Sequence, residues 1–275
     1  MSSVTAEQVV ADTVDAARAV FGDEIEAIFA IGSLAHGGFA PLVSDVDVAV
    51  VLSSTTADTA DRVGIVQGLV EAKASSVLSE RLSLFWADWT AVRTGEGEHL
   101  RLGPVDRLDL LDSGRLWLGT DRREPSIRPS HRELVLMSAD LILGKFTEEY
   151  LEALRDIDAL LAGGPRAVTK AVLFPVRFLY TLSTGAIGLN QDSARWYAAD
   201  GRPGGALALS ALEWRDQGIE DVEAAAQALD TDLADLHAEC MAEYAAELDR
   251  LGQAAGAAAL SERTARVRSA VPEPR

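Results

Sequence analysis

The sequence predicts an α+β protein in two parts, a small mixed sheet with helices followed by an all-helical bundle. Three observations predict it. Apolar runs of strand length alternate with runs of helical periodicity up to about residue 118. A charged segment with two prolines, residues 121–129, then interrupts the pattern. Beyond it strand signals stop, and only helical runs punctuated by glycine remain. The expected divisions are residues 1–124, residues 125–260, and a poorly ordered tail over 261–275.

Taken in order, residues 5–22 start with Thr5 as an N-cap and Gln8 three positions on, and Val9, Val10, Val14, Ala17 and Val20 recur at helical spacing before Gly22. Residues 25–31 and 46–52 are apolar runs of strand length, joined through Gly32-Ser33 and a loop containing Gly37, Gly38 and Pro41. Residues 63–78 predict a second helix and residues 82–87, LSLFWA, a third strand. Residues 106–118, DRLDLLDSGRLWL, predict a short strand and a helix with Gly114 breaking the middle. Helices on one face of these strands would complete a small domain. In the second half, helical runs are expected over 131–162, 168–184, 191–199, 204–215 and 220–254. No internal repeat is present.

Composition narrows the function. The 48% apolar content supplies a core, and no stretch is apolar and long enough to span a bilayer. The opening residues MSSVTAEQVVADTV lack a basic region followed by an apolar one, so a cytoplasmic location is expected. Cys240 is the single cysteine, which rules out an internal disulfide or a multi-cysteine zinc site. A net charge of −18 disfavours long nucleic acid, because affinity for it comes mainly from neutralised phosphates. A small polycation would instead be attracted.

The chemistry concentrates in residues 31–52, IGSLAHGGFAPLVSDVDVAVVL. Asp45 and Asp47 leave the same side of one strand because side chains alternate with period two. Two neighbouring carboxylates repel each other unless a divalent cation lies between them. Gly32 lets backbone approach a ligand closely, and the amide and hydroxyl of Ser33 can hold a phosphate oxygen. A lone Gly-Ser is a turn and a lone Asp-x-Asp is a solvated strand edge. In this order and spacing they predict a nucleotide–Mg²⁺ site. No lysine follows the glycines, so it is not a P-loop.

Gly32-Ser33 followed about a dozen residues later by Asp45-x-Asp47 resembles the signature of the DNA polymerase β-like nucleotidyltransferase superfamily. Gly37-Gly38 and Ser44 make it more similar to the aminoglycoside adenylyltransferases that act on streptomycin and spectinomycin. A weaker resemblance covers residues 170–199, where Arg177, Tyr180, Thr184-Gly185 and Trp196 match an Arg-x-x-Tyr helix, a Thr-Gly turn and a Trp-bearing helix of those enzymes. The resemblance implies Mg²⁺-dependent transfer of a nucleoside monophosphate, AMP from ATP, to a hydroxyl of a small, cationic acceptor in a cleft between two domains. It implies metal ligation by Asp45 and Asp47 and nucleotide contacts from Gly32, Ser33, Ser44, Arg177 and Arg215. Trp86, Gln191, Asp192 and Trp196 would contact the acceptor.

One position departs from the family. Its third carboxylate lies in the middle of the strand matched here by residues 81–87, and Ser83 falls at that place. A hydroxyl with an ordinary pKa cannot take a proton as a carboxylate does. Glu80 and Asp88 flank the strand with the wrong parity. Two further readings therefore stand beside the enzyme: a degenerate nucleotidyltransferase that binds nucleotide as a sensor or regulator, and an antitoxin-type enzyme that modifies a protein. Residues read both ways are His36 (phosphate contact or loop histidine), Trp89 (stacking platform or core) and Arg195 (triphosphate contact or surface ion pair). His99, His131 and His237 have no metal-ligand spacing.

Overall fold

A computed structural model describes residues 4–73 and 76–269. The chain divides into two compact units, the first ending at Pro129 and the second starting at Ser130. In the first, α1 (Ala6–Phe21) leads to β1 (Ile25–Ile31), the single-turn α2 (Gly32–Ala35), β2 (Val46–Leu52), α3 (Thr59–Lys73), β3 (Leu82–Asp88), α4 (Trp89–Thr94), α5 (Pro104–Ser113) and β4 (Arg115–Gly119). The strand order is β3-β2-β1-β4. β1 runs antiparallel to both β2 and β4, and β2 runs parallel to β3, so the sheet is mixed.

Alternation along β2 sorts the domain. Val46, Val48, Val50 and Leu52 pack with Val9, Val10 and Ala17 of α1 and with Val63, Val66 and Val70 of α3. Ala49 and Val51 face the other way, with Phe29 and Ile31 of β1, Ala91 and Val92 of α4 and Leu110 of α5. Each fully buried valine or leucine contributes about 1.5–3 kcal/mol of transfer free energy. Helices thus lie against both faces of the sheet, where the sequence led us to expect one. The order within residues 104–119 is helix then strand. Pro104 opens α5 at its first turn, where a missing N–H costs nothing, and Gly114 caps it before β4.

The segment expected as a linker is tied to the first unit by arginines. Arg123 Nη1 donates to the Leu110 carbonyl at 2.6 Å, and the buried Arg107 donates to the Ile127 carbonyl at 2.7 Å. Arg128 pairs with Asp112 on α5. The second unit then starts abruptly, because Ser130 and Glu133 form a capping box.

Its helices are α6 (His131–Lys145), α7 (Glu148–Ala153), α8 (Ile157–Ala162), α9 (Gly164–Thr184), α10 (Asn190–Ala199), α11 (Gly205–Gln217), α12 (Val222–Arg250) and α13 (Ala254–Ser269). The helical run expected over 131–162 breaks twice, at the side-chain caps Thr147 and Asp156. The tail expected to be poorly ordered is helical through Ser269, with Leu260 and Val267 buried against the bundle. Residues 270–275 lie outside the described chain.

The core is built on α9 and α12. Pro175 sits inside α9 and has no N–H to give the carbonyl of Ala171 four residues back. The Nε2 of His237 on α12 supplies that hydrogen bond at 2.9 Å. Donation to a carbonyl fixes the proton on Nε2. His237 is fully buried against Phe146, and burial pushes its pKa down to about 4. A second α12 side chain, Tyr244, donates its hydroxyl to the Phe178 carbonyl at 2.8 Å. Cys240, one turn after His237, is buried and has its thiol pKa raised by that burial. It fills space in the core.

Candidate functional site

The expected nucleotide–metal residues converge at one end of the sheet. The β1–β2 register pairs Ile31 with Asp47, which sets Asp47 against the residue that follows β1, Gly32. Gly32 has φ of +63°, and a Cβ there would lie 2.4 Å from the Asp47 Oδ2. Only glycine leaves room for that carboxylate, and only glycine adopts this φ without strain. Asp45 precedes β2, and like Asp47 it is half-buried, not sunk into the core. Ser33, also half-buried, follows Gly32 in α2.

Ser83 stands beside this pair. In the parallel β2–β3 ladder Asp47 and Ser83 are Cα partners, so both side chains leave the same face of the sheet. The mid-strand position next to Asp47 therefore carries a hydroxyl. Asp88 does not substitute for it, because its carboxylate accepts the Ala91 amide at 2.8 Å as the N-cap of α4. Glu80 is exposed, ahead of the strand.

A carboxylate that the sequence reading missed comes from α5. Asp109 is buried and its Oδ2 accepts the Gly32 amide at 2.6 Å. The turn is thus held from α5 by Asp109, while Asp47 of β2 packs against its Cα. One helical turn earlier, Asp106 has its pKa raised to about 6, first by burial and then by the charge of Asp109, with Arg101 pulling the other way. The only sequence sign of this pair is the i, i+3 spacing in DRLD, which many solvated helices share. Among the described residues no group of three His, Cys, Asp or Glu side chains stands close enough to hold a metal ion. Two hard carboxylates beside a glycine are nevertheless a donor set that suits Mg²⁺, which binds through one or two carboxylates and completes its shell with water and phosphate.

Other candidates have structural work. The Ser44 hydroxyl accepts the Ala40 amide at 3.0 Å, and Arg81 donates to the Leu42 carbonyl at 3.0 Å; together these brace the loop between Gly32 and Asp45. Trp86 is two ladder positions from Leu84 on the opposite face from Ser83, half-buried against the α1–α3 core. Its indole donates to the His99 carbonyl at 2.9 Å. Trp89 is core on the other face, edge-on to Phe29 at 6.2 Å. A Cβ at Gly38 would meet the His36 ring at 3.1 Å, so that histidine is folded onto its own loop.

In the helical unit, Arg177 donates through Nε to the Gly188 carbonyl, closing the turn between α9 and α10. Gly185 caps α9 with φ of +69°. Trp196 meets Tyr180 edge-on at 5.6 Å, and the Arg202 guanidinium lies 4.8 Å over its ring. The helix–turn–helix motif read from the sequence is therefore largely a packing unit. Arg215 is buried on α11, pairs with Asp216 at 3.1 Å, and its pKa is lowered by burial. Gln191, Asp192 and Arg195 are exposed on α10. No described helix is long and apolar enough to cross a membrane.

No protein-family model matches the sequence, and no curated protein matches it. Among solved structures, the chain is similar to the spectinomycin adenyltransferase AAD(9) from Enterococcus faecialis, determined with ATP and spectinomycin. The match has a TM-score of 0.59 at 12% identity and covers 85% of this chain and 98% of that one. The fold is thus a nucleotidyltransferase fold close to that of the aminoglycoside adenylyltransferases.

Proposed function

We propose that the first unit carries a Mg²⁺-dependent site that transfers a nucleoside monophosphate, AMP from ATP, to a hydroxyl of a small molecule. The observation that carries this reading is the contact of Asp47 with Gly32, which joins a carboxylate strand to a glycine–serine turn at one point. Asp45 and Asp47 would hold the ion, whose contribution is to neutralise charge on the phosphates. Ser33 offers its hydroxyl and amide to a phosphate oxygen, and Asp109 keeps the turn in the conformation that presents them. The solved neighbour contained ATP and spectinomycin, which supports a nucleotide and a small-molecule acceptor as the substrate classes. Asp192 and Gln191 are accessible candidates for an acceptor contact, while Trp86 is half-buried and Arg215 buried.

A second reading has an observation of its own. Ser83 beside Asp47 leaves no carboxylate at the mid-strand position, so a site that binds nucleotide with slow turnover or none fits the same geometry. One experiment treats both. Calorimetry of ATP with Mg²⁺ on the wild type and Asp47→Asn is combined with a pyrophosphate-release assay over a panel of hydroxylated acceptors. Binding that falls at least tenfold in the variant, together with acceptor-dependent pyrophosphate, establishes transfer. The same binding without pyrophosphate establishes the nucleotide sensor. Equal ATP affinity in wild type and variant refutes both.

A further inference from the structure

The helical unit holds a cavity of about 180 Å³ whose lining comes wholly from residues 151–267. Leu151 and Leu154 at the end of α7, Ile157 of α8, Leu229 and Leu233 of α12 and Val267 of α13 form an apolar wall. Arg155 and Asp230 also line it and are exposed, so they mark its mouth. His237 lines it too and is fully buried, so it marks the closed end.

One polar atom of His237 is left unused. Its Nε2 donates to the Ala171 carbonyl, which places the proton on that nitrogen, and burial keeps the ring neutral. Nδ1 therefore carries a lone pair that can only accept. It is buried, and among the described residues it has no hydrogen-bond partner. Buried acceptors are ordinarily satisfied, so an unsatisfied one beside a cavity points to what the cavity takes up. The rings of Phe146 and Tyr150, centred 4.7 and 5.9 Å from the imidazole, hold it in place.

We propose that this cavity binds a small apolar molecule, the size of one aromatic ring, through a single hydroxyl that donates to Nδ1 of His237. The volume sets the size, because an apolar protein cavity of about 150 Å³ accommodates benzene. The leucine, isoleucine and valine walls favour an apolar body by releasing water from it. The unsatisfied acceptor sets the chemistry. A hydroxyl pairs it, a bare hydrocarbon leaves it stranded, and a carboxylate meets its lone pair with another. A single water would satisfy Nδ1 but leave most of the volume unfilled. No residue of the first unit lines the cavity, so the site stands whether or not nucleotide transfer occurs.

The test titrates phenol and benzene separately into the full-length protein, followed by the ¹⁵N resonances of the His237 ring. Phenol should bind about tenfold more tightly than benzene, because only phenol pairs Nδ1. Phenol alone should move the Nδ1 resonance in the direction of a hydrogen-bonded nitrogen. Ala234 also lines the cavity, and Ala234→Phe puts a ring of the ligand's own size there, which should abolish binding of both compounds. Should that variant fail to fold by circular dichroism, Ala234→Leu replaces it, with an expected loss of at least tenfold. Absence of phenol binding at millimolar concentration, equal affinity for phenol and benzene, or undiminished binding by the Ala234 variant each overturns the proposal. Replacing His237 alone would strand the Ala171 carbonyl, so the acceptor is removed by His237→Phe in the Pro175→Ala background, where a helix N–H can bond that carbonyl. The double variant should bind phenol and benzene alike, and a retained preference for phenol overturns the contact with Nδ1.

Discussion

Replacing Gly32 by alanine tests the centre of the proposed site with a single methyl group. The substitution acts in two ways. At φ of +63° an alanine is left-handed, which costs about 1–2 kcal/mol relative to its preferred regions. The new Cβ would also lie 2.4 Å from Oδ2 of Asp47, 3.2 Å from its Cγ and 3.3 Å from its Cβ. Rotating the carboxylate alone relieves only the first of these contacts, so the Asp47 side chain and the turn must move apart together. Urea unfolding should therefore show a loss of about 1–3 kcal/mol, a moderate change for a protein that remains folded. Nucleotide binding should suffer out of proportion, because the carboxylate displaced is the one proposed to hold the ion. The expected result is a fall of at least tenfold in affinity for ATP with Mg²⁺, at temperatures where circular dichroism reports full helix content. Gly37→Ala is the control: its φ is also positive, at +80°, but a Cβ there meets nothing within 4 Å. If Gly32→Ala lost stability yet bound ATP with Mg²⁺ as the wild type does, the Asp47–Gly32 contact would be a packing detail and the proposed site would be wrong.

Restoring a carboxylate next to Asp47 by Ser83→Glu should raise pyrophosphate release with an accepted substrate, since a positioned general base typically contributes about 10²–10⁴-fold; an active wild type that the change silences would place the base elsewhere. Substituting Arg107 with alanine removes buried donors to the Ile127 and Val92 carbonyls, and a loss of about 2–4 kcal/mol in urea unfolding is expected, with faster proteolysis of residues 121–129. His237→Phe should cost about 1–3 kcal/mol by stranding the Ala171 carbonyl, and much less in a Pro175→Ala background, where the restored N–H can bond it; equal costs in the two backgrounds would dismiss the pairing. Because His237 has a folded pKa of about 4, below its ordinary 6.5, the unfolded state binds more protons between those values and stability falls as pH drops through that window, by about 3 kcal/mol at most. Asp106 has the opposite sign: its folded pKa of about 6 lies above the ordinary 3.8, so its contribution is full below pH 3.8 and is lost as pH rises through 6. Melting temperatures across pH 4–8 for His237→Phe and Asp106→Asn should separate the two, flattening the acid limb in the first and raising stability near neutrality in the second.

The sequence by itself determined the strands at 25–31 and 46–52, the turn at Gly32 and the all-helical character beyond residue 130. These follow from short-range rules. Period-two alternation, glycine at a positive φ and a serine cap act within a few residues, so they can be read locally. The family resemblance rested on the same local signals and named the fold that the comparison with AAD(9) then assigned. Tertiary structure alone decided what each polar side chain does. Trp86 and Ser83 are three residues apart on one strand and face opposite sides, and only tertiary packing shows that Trp86 lies with α1 and α3. That Arg215 is buried in the bundle is likewise not legible in the sequence around it. Asp109 reaches Gly32 across 77 residues of sequence, and nothing in DRLDLL announces it. His237 is needed because Pro175, on another helix, leaves a carbonyl without its donor. Lys145 meets Lys170 only because α6 and α9 pack together. Such pairings depend on distances in space between residues remote in the chain, and local periodicity carries no record of them.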